Sequence, residues 1–417
     1  MPKDPLDRAA QRARRRRAFR WAGLTVVVLV AALFLLVPDA RRLADFAFRV
    51  GEGAVAEASV APFYAAPTVS PAPEVPGTIV RKEPVVGPPD GSSAWRIVYH
   101  STDYSGADIL VSGTVIAPAV SVPAPAEGRT VVSWAHPTTG SAPRCAPSSG
   151  IAPFVFIEGL TDLLAAGNIV VATDYSDMGI AGPPSYLIGA TEAANVLDIV
   201  RSARLMDLGA SSRVVLWGHS QGGHAALFAA QEAAEYAPDL TIAGVAVAAP
   251  ATDLGELLNA DINDISGVSI GAYAFTAYAL AYASRLPPDP LSSILTDAGA
   301  EAAPAMAKLC LLGQNEQLHE IAKPLIGAFV SQDPASAPGW GELLAENSPT
   351  VAPLPMPLFV AQGAKDVLVR PEITAAYVAR QEGAGGIVES QVYPDEGHGG
   401  VAMAALTELM AWLARLS

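Results

Sequence analysis

A serine hydroxyl is a poor nucleophile until a base takes its proton and a third group orients that base. The segment Gly218-His219-Ser220-Gln221-Gly222 offers such a serine. The apolar run 213–217 before it reads as a strand, and 222–235 after it reads as a helix stopped near Pro238. So sharp a turn forces Ser220 into strained backbone, and the flanking glycines leave space that a Cβ would fill. Ser220 Oγ is then raised above the sheet, and the Gln221 N–H points at a developing oxyanion from the helix N-terminus. The pentapeptide is short enough to arise by chance. The strand–turn–helix context favours a nucleophile over a serine in an ordinary turn.

The base must lie later in the chain, on a loop that can reach Ser220. Of the six histidines, His319 and His398 follow Ser220 by more than a few residues. His319 falls in an apolar helical stretch, where a surface histidine is the simpler reading. His398 falls in Pro394-Asp395-Glu396-Gly397-His398-Gly399-Gly400, between a strand and the last helix, and is the expected base. Asp366 follows the strand 357–362 and is the expected acid. Asp395 and Glu396 are too close in sequence to orient His398 easily. A second oxyanion donor is expected in the loop after strand 130–134, from the backbone of Thr138 or Thr139 with help from a threonine hydroxyl. A turn capped by threonines is the alternative there.

These groups need a scaffold. Residues 95–101 and 109–117 alternate or run apolar around 103–106 and predict a hairpin. Short apolar strands are predicted at 130–134, 169–173, 213–217, 242–248, 357–362 and 387–393, with helices at 154–166, 186–206, 222–235 and 400–416. Strands alternating with helices imply an α/β fold, a mostly parallel sheet covered on both faces. Residues 254–353 break the rhythm with helical stretches at 270–283 and 302–312. They read as a helical cap inserted before the strand that precedes the acid.

The chain has 417 residues and a net charge of −15. The first twenty residues hold eight of the 26 basic and two of the 41 acidic side chains, leaving 18 basic against 39 acidic beyond them. So acidic a body repels phosphates and argues against nucleic-acid partners. The arginine block at 12–20 precedes an apolar stretch at 21–37, which as a helix spans ~25 Å, the short end of what crosses a bilayer. Residues 1–37 therefore read as a cytoplasmic basic segment and membrane anchor, with the body outside. A cleaved signal, with Arg16-Arg17-Ala18-Phe19 loosely like a twin-arginine motif, would give a secreted protein instead. A buried hydrophobic helix is the remaining alternative. Residues 38–92, rich in Pro, Ala and Val from 61 to 89, read as a linker, and 93–417 as the catalytic domain. Two cysteines, Cys145 and Cys310, make no metal or redox motif. In an exported protein they are expected to pair, tying the region after an early strand to the inserted segment; two buried free thiols are the alternative.

Several motifs taken together resemble the secretory lipase family, the yeast lipase A type. They are Ser133-Trp134-Ala135-His136-Pro137-Thr138-Thr139-Gly140, Arg144-Cys145-Ala146-Pro147-Ser148, Val171-Ala172-Thr173-Asp174-Tyr175 and the glycine-flanked Ser220. The form is similar to that of actinobacterial members, and the resemblance runs from about residue 95 to the C-terminus, excluding the N-terminal anchor. It implies an α/β-hydrolase fold with a helical cap and a triad at Ser220, Asp366 and His398. The family's second oxyanion residue, an aspartate, falls at Thr139, so the backbone role alone carries over. A family cysteine at the Cys145 position is disulfide-bonded, which supports pairing with Cys310.

The expected function is hydrolysis of carboxylic esters, lipid-like ones in particular, without metal or cofactor. Acyl transfer to an alcohol acceptor would use the same triad. A catalytically silent envelope protein that binds lipids or partners is the alternative from another class.

Overall fold

The computed structural model describes residues 62–65, 74–119, 122–150, 153–350 and 352–416. The basic block and apolar stretch read as an anchor lie outside these. Among the described residues, no helix is long and apolar enough to cross a membrane.

Among the described residues nine strands form one sheet: β1 (Ile79–Pro84), β2 (Ser92–Thr102), β3 (Asp108–Pro118), β4 (Arg129–Ala135), β5 (Ile169–Thr173), β6 (Ala210–His219), β7 (Thr241–Ala248), β8 (Leu358–Gly363) and β9 (Val388–Tyr393). Their spatial order is β1-β2-β3-β5-β4-β6-β7-β8-β9. The first three pair antiparallel with one another, and β3 with β5. From β5 to β9 every pairing is parallel. Apolar side chains alternate between the two faces of the central strands. Val131, Val214, Leu216, Val245 and Val247 pack into one core with the helices Gly189–Leu205 and Gln221–Tyr236. Val132, Val215, Trp217, Ala246 and Phe359 pack into the other with Leu163, Leu409 and Trp412. Strands so covered on both faces carry the continuous apolar runs read from the sequence.

The β2–β3 hairpin turns through residues 103–107, where Asp103 Oδ1 accepts from the amides of Ser105 (2.8 Å) and Ala107 (3.0 Å). One stretch read as linker is ordered sheet: β1 lies along β2 from Ile79 to Pro84. Its side chains alternate, but its partner supplies the order, with Arg96 of β2 reaching Glu83 at 2.7 Å.

Between β7 and β8 the chain builds five helices: Leu254–Asp261, Ile265–Ala281, Asp297–Met306, Leu311–Ala322 and Trp340–Glu346. They share a core of their own around Tyr273, Phe275, Tyr278, Phe329 and Trp340. Side-chain caps set three of the starts: Asp253 accepts from the Glu256 amide, Asp264 from Ser266 and Gly267, and Thr296 from Gly299. The Asp264 cap starts the second helix five residues before the apolar periodicity suggests. The helix expected over 302–312 instead ends at Met306, and the next begins at Leu311. The helix expected over 154–166 divides likewise at Gly159 (φ 80°), and that over 400–416 after Ala404.

Cys145 and Cys310 are joined in a disulfide with Cα atoms 5.2 Å apart, across 165 residues. The bond fastens the loop after β4 to the inserted helices. Closing so long a loop restricts the unfolded chain, so a Cys145→Ser/Cys310→Ser variant is expected to lose about 2–5 kcal/mol of stability. Denaturant titration with and without reductant checks this. An unchanged midpoint would contradict it.

Candidate active site

Strand β6 ends at His219 and a helix begins at Gln221, leaving Ser220 between them at φ 58°, ψ −117°. Two close approaches hold that turn. A Cβ on Gly218 would lie 2.0 Å from the Gly222 carbonyl oxygen, and one on Gly222 would lie 1.8 Å from the carbonyl oxygen of Ala135 on β4. Only glycine fits either place, so both the strained serine and its packing on the neighbouring strand follow from the pentapeptide. The Ser220 amide donates to the Ala248 carbonyl at the end of β7 (2.9 Å), which fixes the turn from its other side.

The three residues expected to act together lie together. His398 Nε2 is 2.9 Å from Ser220 Oγ, and His398 Nδ1 is 2.8 Å from Asp366 Oδ2. With Nδ1 bearing the hydrogen toward the carboxylate, Nε2 is left to accept from the serine hydroxyl. Asp366 Oδ1 accepts from the amides of Leu368 and Val369, both at 2.9 Å. Burial alone would raise this carboxyl. The hydrogen bond and charge of His398, with the two amides, outweigh burial and hold Asp366 below its ordinary value. His319 sits in the inserted helix Leu311–Ala322, away from this chain of bonds.

The oxyanion candidates divide. Gln221 and Thr138 line the same cavity as Ser220. Among the described residues, the backbone amides of Gln221, Thr138 and Thr139 have no protein acceptor. The threonine hydroxyls are already engaged: Thr138 Oγ1 is 2.8 Å from Tyr186 Oη, and Thr139 Oγ1 donates to the Cys145 carbonyl at 2.9 Å. The Thr139 carbonyl accepts from Leu311 of the inserted helices (2.9 Å). The Thr139 hydroxyl is thus spent on Cys145, whereas Thr138 Oγ1 can accept from Tyr186 Oη and keep its own hydrogen.

Two acid–histidine pairs, one fully buried and one partly, were not anticipated. Glu158 bonds His219 Nδ1 (3.0 Å) and the Trp134 indole N–H (2.6 Å), while His219 Nε2 donates to the His398 carbonyl (2.9 Å). The His219 and His398 rings lie 5.0 Å apart, so this pair braces the loop that carries His398. Glu192 bonds His224 Nδ1 (2.8 Å) and the Gln221 side-chain amide (2.7 Å), and His224 Nε2 donates to the Asn347 carbonyl of the inserted segment (2.7 Å). The available signal was acidic residues within otherwise apolar stretches, Glu192 in a helix whose other inward positions are largely aliphatic. Nothing in their spacing paired them with histidines 61 and 32 positions away.

Over Ser220 lies a slot of about 60 Å³. Its far walls come from the inserted helices, through Leu254, Leu257, Leu258, Ile270, Ala274 and Leu344. One acid, Asp261, interrupts this apolar lining. It pairs with Arg370 at 2.8 Å, and burial pushes its carboxyl up against the pull of that guanidinium. No cluster of three or more His, Cys, Asp or Glu arranged to hold a metal ion occurs among the described residues.

Gly222→Ala drives a Cβ into the Ala135 carbonyl and is expected to cost about 3 kcal/mol, read as a lower denaturation midpoint. Asp366 stabilises the folded state above its unfolded value, ~3.9, and that contribution fades as pH falls through the lower folded value. Asp366→Asn should therefore destabilise most near neutral pH and least near pH 2. A deficit independent of pH would contradict this account.

Residues 155–321 match the family model of secretory lipases. A protein of Mycobacterium tuberculosis named a probable inactive lipase is 32% identical over 199 residues, covering 43% of each chain. The trichothecene C-3 esterase of Fusarium sporotrichioides is 27% identical over 218 residues, covering 46% of each. The matched region thus spans less than half the length of these curated relatives. The closed-state structure of Candida antarctica lipase A superimposes with a TM-score of 0.67 at 19% identity, covering 85% of both chains. The nine-stranded sheet among the described residues, the turn at Ser220 and these likenesses lead to one conclusion: the chain has an α/β-hydrolase fold, and its residues 155–321 match the secretory lipase family.

Proposed function

We propose that the protein is a serine carboxylic-ester hydrolase working through an acyl-enzyme on Ser220. The observation that carries this reading is the unbroken chain Ser220 Oγ–His398–Asp366 at the base of an apolar slot. His398 Nε2 takes the Ser220 proton as Oγ bonds to the ester carbonyl carbon. The negative carbonyl oxygen meets the Gln221 amide, at the positive end of a 16-residue helix, and the amides of the Thr138–Thr139 loop. His398 returns the proton to the alcohol oxygen as its bond to carbon breaks. Water then follows the same path: it gives its proton to His398, attacks the acyl carbon and frees Ser220. Asp366 keeps the imidazole in the required tautomer throughout.

The apolar walls favour a hydrocarbon portion of the substrate, which suits lipid-like esters, and residues 254–353 act as the cap that selects it. Two relatives are named as an esterase and as a lipase, in keeping with this chemistry. The disulfide suits an oxidising compartment, which supports a body outside the cytoplasm, secreted or held by residues 21–37.

A second reading, a silent binding protein, has one observation in its favour: a relative is named a probable inactive lipase. The unbroken hydrogen-bond chain from Ser220 to Asp366 argues against it here. A fluorophosphonate probe separates the two. Wild type should label and hydrolyse p-nitrophenyl esters, and Ser220→Ala should not label and should lose about a thousandfold or more in kcat. Absence of Ser220-dependent labelling and of ester hydrolysis would rule out the enzyme.

A further inference from the structure

Asp261 ends the helix Leu254–Asp261 and is 4% exposed. Its Oδ1 takes both bonds from Arg370, at 2.8 and 3.2 Å from Nη2 and Nε. Its Oδ2 has no donor among the described residues. The residue lines the slot shared with Ser220, where its neighbours are Leu257, Leu258, Ile270, Ala274 and Leu344. Oδ2 keeps access to solvent, so a hydrocarbon pressed against it removes water without replacing the lost bond, which is costly. A hydroxyl in the same place restores that bond. Arg370 already balances the negative charge, so a neutral donor fits better than a second cation.

We propose that Asp261 Oδ2 is a substrate-binding acceptor that selects esters carrying a hydroxyl on the portion held in the slot. The inference rests on Ser220-dependent ester hydrolysis and adds the substrate class to it. A site built to bond a hydroxyl discriminates strongly against the analogue that lacks it, because the buried acceptor is then left unpaired. Arg370 also stands one residue from Val369, whose amide bonds Asp366, so the acceptor is fixed by the same loop that holds the acid.

The hydroxyl can belong to the acyl or to the alcohol part, and two substrate pairs separate these. Methyl 3-hydroxybutyrate against methyl butyrate reports the acyl side. Glycerol monobutyrate against propyl butyrate reports the alcohol side. Wild type should favour the hydroxylated member of at least one pair by about tenfold or more in kcat/KM. Asp261→Leu should bring that ratio near one. Asp261→Asn, which keeps the size and an oxygen for Arg370, should reduce it and serves if the leucine variant does not fold. A wild-type ratio near one in both pairs, with the plain esters cleaved, overturns the inference and leaves the hydrolase reading intact. So does a ratio unchanged in both variants. Failure to cleave any of the four esters, without Ser220-dependent probe labelling, overturns both.

Discussion

The contact between Gly222 and the Ala135 carbonyl is the constraint on which the rest of the structure depends. It lets the helix Gln221–Tyr236 start directly against β4, with no room for a side chain between them. That closeness raises Ser220 above the strand ends. The positive φ of Ser220 is the cost of this arrangement, of order 1–3 kcal/mol. Burial of strand on strand and helix on sheet offsets it, since β5 and β8 expose no residue at all.

From that fixed point the polar groups are organised in pairs. Each acid near Ser220 has more than one partner: Asp366 has His398 and two amides, half-buried Glu158 has His219 and Trp134, and buried Glu192 has His224 and Gln221. Unpaired, the carboxylates of Asp366 and Glu192 would be strongly destabilising in the interior. Paired, they lock side chains whose freedom would blur the geometry. The His219 bond to the His398 carbonyl is of this kind: it restrains the loop that carries the imidazole, leaving the ring free to face Ser220.

The inserted helices are held to the body at several separate places. The disulfide and the Leu311–Thr139 bond hold them to the loop after β4. The Asn347 carbonyl holds them to His224, and Arg370 to Asp261. Each attachment reaches an element next to Ser220. The slot walls are therefore positioned by the same parts that position the reacting groups, and Asp261 is the one wall residue that brings charge with it.

Much of this was legible in the chain. Glycines at 218 and 222 allow one kind of turn, apolar runs of strand length alternating with helices allow one kind of sheet, and the order of Ser220, Asp366 and His398 follows the order of the strands. Such signals are local, because sterics and side-chain period act over a few residues. Other features belong to the tertiary structure alone. β1 is a strand because β2 is beside it, although its composition reads as linker. The threonine hydroxyls turn to Tyr186 and to the Cys145 carbonyl, a choice made by neighbours far away in sequence. Glu158 with His219, Glu192 with His224, and Asp261 with Arg370 are pairs whose spacing carries no period. Burial makes each of these charges find a partner, but the fold alone brings the partner within reach.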